Sequence, residues 1–168
     1  LLAAHGAFGD APDLVLSGVN RGANTGHATL HSGTVGAALA ASTHGILGIA
    51  VSLNSADPQH WDTAGHFTAR MLAWLLEHPD PSGVVNLNVP DLPADRVAGL
   101  RQATLAPFGQ VQVSVAERGE GFVRTAVEAN AVRAVPGTDI AWLADGYAAV
   151  TAIRALGHLP DVELPVDR

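Results

Sequence analysis

The sequence contains no cysteine and no lysine among its 168 residues. The absence of cysteine excludes disulfide bonds and thiolate chemistry, and it fits a cytoplasmic protein. Without lysine the chain cannot form a P-loop, because that motif needs a lysine to contact the phosphates. No apolar run approaches the roughly 18–20 residues of a membrane span, and no basic-then-apolar leader is visible.

Charged residues are scarce as well. They make up 15% of the chain, whereas 48% is hydrophobic, which indicates a buried core rather than disorder. The formal net charge of −7 argues against a general affinity for nucleic acid or anionic membranes. The length fits one domain. Because the chain begins in mid-pattern at Leu1, we expect a single domain over residues 1–168 that is incomplete at its N-terminus.

The first half of the chain alternates between strand and helix patterns. Three short apolar runs predict buried strands, at Leu14–Leu16, Ile46–Leu53 and Val84–Pro90. Ser32 can cap a helix that Gly45 closes, and a longer helix begins at Asp62 or Thr63 and ends before Pro79. This alternation predicts an α/β fold with a parallel sheet.

The second half has a different pattern. Polar and apolar residues alternate about a glycine turn at Gly119–Gly121, which predicts a β-hairpin at about residues 108–130 that projects from the α/β body. A short helix at Ile140–Ala144 and a strand at Tyr147–Ile153 follow. The tail at residues 157–168 is punctuated by proline, and we expect it to be loose.

A glycine-rich stretch at residues 17–38 separates the first predicted strand from the first helix. Ligands of open α/β sheets bind at this end of the strands. Its glycines lie four apart, unlike G-x-G-x-x-G, and Leu30 stands where the G-x-S-x-G motif around Ser32 needs glycine. Ser32, Thr34 and the amides of the helix start suit an anion. Asn20 offers an oxygen to a hard cation, which also needs carboxylates.

The stretch "PDLVLSGVNRGANTGHATLHSGTVGAA" resembles the SurE family of survival nucleotidases, whose hallmark is P-D-L-V-x-S-G-[IV]-N-x-G-x-N-x-G followed by [YH]-S-G-T-V-x-A-A. The likeness continues through "GIAVSLNS", "WDTAG", "VVNLNVPDLP" and "GTDIAWLADGYAAVTAI". It implies a Rossmann-like three-layer α/β/α sandwich with a projecting hairpin. It also implies a homodimeric or homotetrameric, metal-dependent phosphatase that hydrolyses nucleoside 5′- or 3′-monophosphates.

The resemblance assigns roles within the glycine-rich stretch. Asn20 would be a ligand of Mg²⁺ or Mn²⁺. Ser32, Gly33 and Thr34 would hold the phosphate, and Asn24 would line the same pocket, although Asn24 could instead serve only as a turn residue. The family's Asp-Asp-Gly motif and its serine ligand are missing from this chain. We therefore expect the chain alone to be inactive.

No carboxylate of the chain replaces the missing motif at sequence level. Asp10 and Asp13 precede the first strand and so lie at the wrong end of the sheet. Asp57 and Asp91 follow strands at the correct end, but their spacing does not suggest a pair.

Other polar and aromatic residues near these motifs have simpler interpretations. His27 and His31 could protonate a leaving alkoxide, but exposed or capping histidines are the simpler interpretation. Arg21 is interpreted as an exposed loop residue, and Asn86 and Asn88 as structural hydrogen-bonders. The tryptophans are interpreted as core or interface residues: Trp61, Trp74 and Trp142.

Two functions of different classes remain. The first is a phosphatase of nucleoside monophosphates in the full-length protein, which would need a divalent metal. The second is a non-catalytic module that binds an anion or supports assembly and lacks the metal carboxylates. The sequence leaves open which residue is the general acid and which nucleobase the substrate carries.

Overall fold

A computed structural model describes residues 1–80, 82–108, 111–129 and 135–154. Its strands are β1 (Leu14–Arg21), β2 (Leu47–Asn54), β3 (Val84–Pro90), β4 (Leu100–Gln102), β5 (Val111–Gly119), β6 (Phe122–Ala129) and β7 (Ala148–Ile153). Its α-helices are α1 (Gly33–Ser42), α2 (Trp61–Glu77) and α3 (Asp139–Ala144), with 3₁₀ helices at Gly26–His31 and Ala94–Arg96. The predicted loose tail at 157–168 lies outside the described residues.

Five strands form one mixed sheet in the order β1-β2-β3-β7-β4. The parallel pairing predicted for the first half is confirmed, because β1, β2 and β3 run parallel to one another. Strand β7 then pairs antiparallel with β3, and the short strand β4 pairs parallel with β7. Strand β4 was not predicted, because a strand of three residues is too short to show an alternation of polar and apolar side chains.

The two faces of the sheet have different chemistry. Apolar residues of β2 and β3 such as Ile49 and Leu87 pack with α2 through Phe67 and Met71. On the other face, α1 packs on Ala50 and Val84. Successive side chains of a strand point to opposite faces, so Ser52, Asn86 and Asn88 lie on the α1 face. This places a row of buried polar side chains beneath the glycine-rich stretch.

Strand β1 is longer than predicted. Its predicted end is Leu16, but the strand continues to Arg21 and so includes the start of the glycine-rich stretch. Its pairing with β2 is irregular between Ser17 and Asn20, where Gly18 has φ +127°. A side chain at Gly18 would collide with the carbonyl oxygen of Val51. Glycine therefore lets the strand bulge and resume pairing with Asn20 opposite Ser52.

The remaining predicted elements are present with small shifts. Helix α2 starts at Trp61, one residue before the predicted start, and α3 starts at Asp139. Strands β5 and β6 form a separate two-stranded antiparallel sheet that turns at Glu120 and Gly121. The prediction of a hairpin at 108–130 is thereby confirmed for its described part, while residues 109, 110 and 130 lie outside it. Among the described residues, no helix combines the length and apolarity needed to cross a membrane.

Candidate functional site

The glycine-rich stretch lies across the carboxyl ends of the parallel strands. After β1, the amide of Gly22 donates to the carbonyl oxygen of Leu53 at 2.9 Å. The chain then crosses the α1 face of the sheet, forms the 3₁₀ helix Gly26–His31 and enters α1. The site is therefore built at the edge of the sheet where α/β proteins bind ligands.

Asn20 and Thr34 meet at this edge although they are 14 residues apart. The Thr34 hydroxyl donates to Asn20 Oδ1 at 3.2 Å. The Asn20 Nδ2 donates to the carbonyl oxygens of Gly22 at 2.8 Å and Arg21 at 3.2 Å, which fixes the orientation of the amide. Its oxygen consequently faces the start of α1. The structure thus brings the residue predicted as a metal ligand beside one predicted to hold phosphate.

Ser32 is the N-cap of α1, as predicted. Its Oγ accepts a hydrogen bond from the amide of Val35 at 3.1 Å. The amides of Gly33 and Thr34 lie in the first turn, where N–H groups have no partner within the helix. A side chain built at Gly33 would meet nothing within 4 Å, so the space in front of this turn is open. The helix start can accept an anion from solvent.

Asn24 is placed in a buried network rather than beside Thr34. Its Nδ2 donates to Ser52 Oγ at 2.7 Å, and its backbone amide donates to Asn88 Oδ1 at 2.8 Å. Its carbonyl oxygen accepts from the Nδ2 atoms of Asn86 and Asn88, each at 2.9 Å. The interpretation of Asn86 and Asn88 as structural hydrogen-bonders is confirmed. A phosphate contact of Asn24 stays a prediction.

Histidine and arginine side chains of the stretch lie on its outer surface. His27 and His31 are exposed at the two sides of the 3₁₀ helix. Arg21 is exposed too, and its Nε donates to the carbonyl oxygen of Ala56. Among the residues that the structure describes, none is placed as a proton-transfer partner of these three side chains.

Asp139 is a residue of this region that the sequence analysis missed. Its side chain is fully buried, and its carboxylate accepts backbone hydrogen bonds from Gly26 at 2.8 Å, Ala106 at 3.0 Å and Ile140 at 2.9 Å. Burial raises the pKa of this carboxyl, and the three backbone N–H groups offset part of the rise. The one available signal was an acidic residue after the helix-capping Thr138 in "GTDIAW".

Asp91 follows β3 at the correct end of the sheet, but its carboxylate binds the segment that immediately precedes α2. It accepts from the backbone amides of Gln59 and His60 and from His60 Nδ1, between 2.8 and 3.1 Å. Burial raises the pKa of Asp91, but these hydrogen bonds outweigh burial and hold it below its ordinary value. Asp91 is therefore occupied in fixing the start of α2.

Comparison with known proteins identifies the family of this chain. The family model described as survival protein SurE matches residues 1–112. The chain belongs to the SurE family. Curated SurE relatives include the 5′/3′-nucleotidases SurE of Shigella dysenteriae, 38% identical over 147 residues, and of Serratia proteamaculans, 37% identical over 148 residues. These alignments cover 85% and 86% of this chain but 57% and 58% of the relatives, so it spans little more than half of their length.

A solved SurE structure confirms the α/β fold. The crystal structure of the SurE protein from Aquifex aeolicus matches with a TM-score of 0.74 and 27% sequence identity, and the match covers 87% of this chain and 60% of that chain. The resemblance inferred from the glycine-rich motif therefore holds for the three-dimensional fold as well.

The resemblance to SurE implies a divalent metal, and the described residues fit only part of a site for one. Asn20 supplies a neutral oxygen, which already accepts from Thr34. No group of three or more His, Cys, Asp or Glu side chains that could hold a metal occurs in the part of the chain that the structure describes. Hard cations require carboxylates, so these residues by themselves do not complete a metal site.

Proposed function

We propose that the full-length protein is a phosphatase that hydrolyses nucleoside 5′- or 3′-monophosphates to nucleoside and phosphate. The hydrogen bond between Thr34 and Asn20 carries this proposal, because it joins an open helix start to an amide oxygen at the ligand-binding edge of the sheet. The names of the two nucleotidase relatives support the substrate class.

The residues of this chain would bind and orient the phosphoryl group. The amides of Gly33 and Thr34 and the hydroxyl of Ser32 would donate to the phosphate oxygens, aided by the helix dipole. The Thr34 hydroxyl would exchange its bond to Asn20 Oδ1 for one to a phosphate oxygen, which would free the Asn20 oxygen for the metal. Donors fixed in this way favour charge that develops on the phosphoryl oxygens. Asn24 would shape the same pocket through the loop backbone that it fixes.

We further propose a dependence on Mg²⁺ or Mn²⁺, with Asn20 as one ligand. The carboxylates would come from the part of the family domain that this chain does not span. We also propose that the protein is a homodimer or homotetramer in the cytoplasm. It would bind neither nucleic acid nor membranes, and the net charge of −7 supports this last point.

A non-catalytic anion-binding or assembly module is the second candidate. It is favoured by one observation, the lack of a three-residue metal-ligand cluster among the described residues. Such a module would bind phosphate at the start of α1 without hydrolysing an ester. The two candidates differ in whether the full-length protein releases phosphate.

The test is Mn²⁺-dependent phosphate release from AMP by the full-length protein and by Asn20→Ala. We expect Asn20→Ala to lower both activity and the calorimetric heat of Mn²⁺ binding, because one ligand is lost. Equal activity and equal heat in the two proteins would exclude the metal role of Asn20. Full-length protein that binds phosphate but releases none would favour the second candidate.

Phosphate binding has its own matched pair of variants. Thr34→Val removes a hydroxyl beside Asn20, whereas Thr43→Val removes an exposed hydroxyl at the other end of α1. We expect only Thr34→Val to raise the KM for AMP. An equal KM in both variants would exclude the Thr34 hydroxyl from the phosphate site.

A further inference from the structure

Three separate segments of the chain meet at the carboxylate of Asp139. Its Oδ2 accepts from the amide of Gly26, which is 113 residues away in sequence. Its Oδ1 accepts from Ala106, in the segment between β4 and the hairpin, and from Ile140 in α3. The side chain has no exposed surface. One buried carboxylate therefore joins the glycine-rich stretch to the segment that follows β4.

We propose that Asp139 is a positioning residue for the phosphate side of the site, acting through the 3₁₀ helix that ends at His31. The inference rests on the proposed function for its effect on catalysis, but its structural part does not depend on hydrolysis. The described hydrogen bonds of the Asp139 carboxylate go to Gly26, Ala106 and Ile140 and not to Ser32 or Thr34, so its effect has to pass through the backbone that it holds.

A chain of hydrogen bonds leads from Asp139 to Ser32. The amide of Gly26 donates to Asp139, and the carbonyl oxygen of Gly26 accepts from the buried Thr29 hydroxyl at 2.9 Å. The carbonyl oxygen of Thr29 accepts from the amide of Ser32 at 3.2 Å. Ser32 Oγ in turn caps α1 through Val35. Each link fixes the next, so a shift at Gly26 is transmitted to the start of α1.

The backbone of Gly26 is closely confined where it donates to Asp139. Its φ is +53°, and a Cβ at this position would collide with the backbone of Ala106 and Phe108. The same region is tied to α3 by hydrogen bonds from Asp139 N to Thr104 O at 3.0 Å and from Thr104 N to Gly137 O at 3.1 Å. The geometry around Asp139 is thus close-packed, and a replacement with fewer acceptors leaves a buried N–H without a partner.

Asp139→Asn is the first test, made in the full-length protein. The amide keeps one acceptor oxygen and places an NH2 group against a backbone N–H. We expect amide hydrogen exchange at Gly26 or Ala106 to rise about tenfold relative to Ile49 in the sheet core. We also expect the KM for AMP to rise about tenfold or more, while the folded fraction by circular dichroism stays unchanged.

The control is Asp145→Asn, which changes an exposed carboxylate at the C-terminal end of the same helix. It should leave exchange at Gly26 and the KM unchanged. A purely structural role of Asp139 predicts a different result, namely a uniform rise in exchange that includes Ile49, with a lower kcat and the same KM. That pattern would overturn the proposal.

A second variant covers the case in which Asp139→Asn does not fold. Thr29→Val removes the next link of the chain and keeps the side-chain volume. Its control is Thr43→Val, which removes the same type of hydroxyl bond, to the carbonyl oxygen three residues earlier, at 2.8 Å. We expect a higher dissociation constant for inorganic phosphate in Thr29→Val only. Equal phosphate affinity in the two variants would contradict the proposal.

These readouts separate the inference from the proposed function. If the full-length protein releases no phosphate from AMP, the proposed function fails, but exchange at Gly26 and the titration with inorganic phosphate still test Asp139. If it is active and Asp139→Asn changes neither exchange at Gly26 nor the KM, the inference fails and the proposed function stands.

Discussion

The two asparagines of β3 offer a quantitative test of how the glycine-rich stretch is held. Asn86 and Asn88 are both almost completely buried, at 0% and 1% exposure, and truncation to alanine removes the same atoms from each. Asn88→Ala deletes two hydrogen bonds to Asn24, whereas Asn86→Ala deletes one. The difference between the two variants therefore isolates the bond from the Asn24 amide to Asn88 Oδ1.

The magnitude follows from what each truncation leaves behind. In Asn86→Ala, the Asn24 carbonyl oxygen keeps its bond from Asn88. The Oδ1 of Asn86 has no partner among the described residues, so removing it costs no hydrogen bond there. In Asn88→Ala, the buried Asn24 amide loses its acceptor, at a cost of about 1–3 kcal/mol. We expect Asn88→Ala to be the more destabilising variant by that amount.

The assay is urea unfolding monitored by tryptophan fluorescence. The free energies of unfolding of the variants are compared on condition that the slope of free energy against urea concentration is the same in each. If Asn86→Ala lowers the free energy of unfolding as much as Asn88→Ala does, or more, the reasoning is refuted. That result would mean that the Asn24 amide is not held by Asn88 in solution.

Two further predictions concern backbone space and pH. Gly26→Ala should destabilise the protein and raise amide hydrogen exchange at Ala106, because the φ of +53° at Gly26 and the adjacent backbone leave no room for a Cβ. Gly36→Ala, in open space within α1, should instead raise the free energy of unfolding by about 0.5–1 kcal/mol. Equal melting temperatures of the two variants would contradict this prediction. The lowered pKa of Asp91 stabilises the fold above its ordinary value of 3.8, and this contribution is lost as pH falls through the lower folded-state pKa. Asp91→Asn should therefore lower stability at neutral pH and flatten the dependence of stability on acid pH. An unchanged pH profile of the melting temperature would contradict a stabilising role of the bonds from Asp91 to Gln59 and His60.

Much of the fold could be predicted from local sequence patterns. The strand at Val84–Pro90 has its predicted bounds, and Ser32 caps α1 as expected. Such features depend on residues a few positions apart, because capping and apolar periodicity are local. The SurE motif likewise lies within one continuous stretch, so the family could be inferred from it.

Only the tertiary structure decided how the site is held together. The contact from Gly26 to Asp139 spans 113 residues, and that from Asn24 to Asn88 spans 64. No local pattern encodes these pairs, because they depend on sheet order and register, including the antiparallel insertion of β7 between β3 and β4. The sequence by itself determined the family and led to the prediction that Ser32, Gly33 and Thr34 bind phosphate. The packing of distant segments decided which buried side chains fix those residues in place, since a hydrogen bond forms only where the fold brings donor and acceptor within reach.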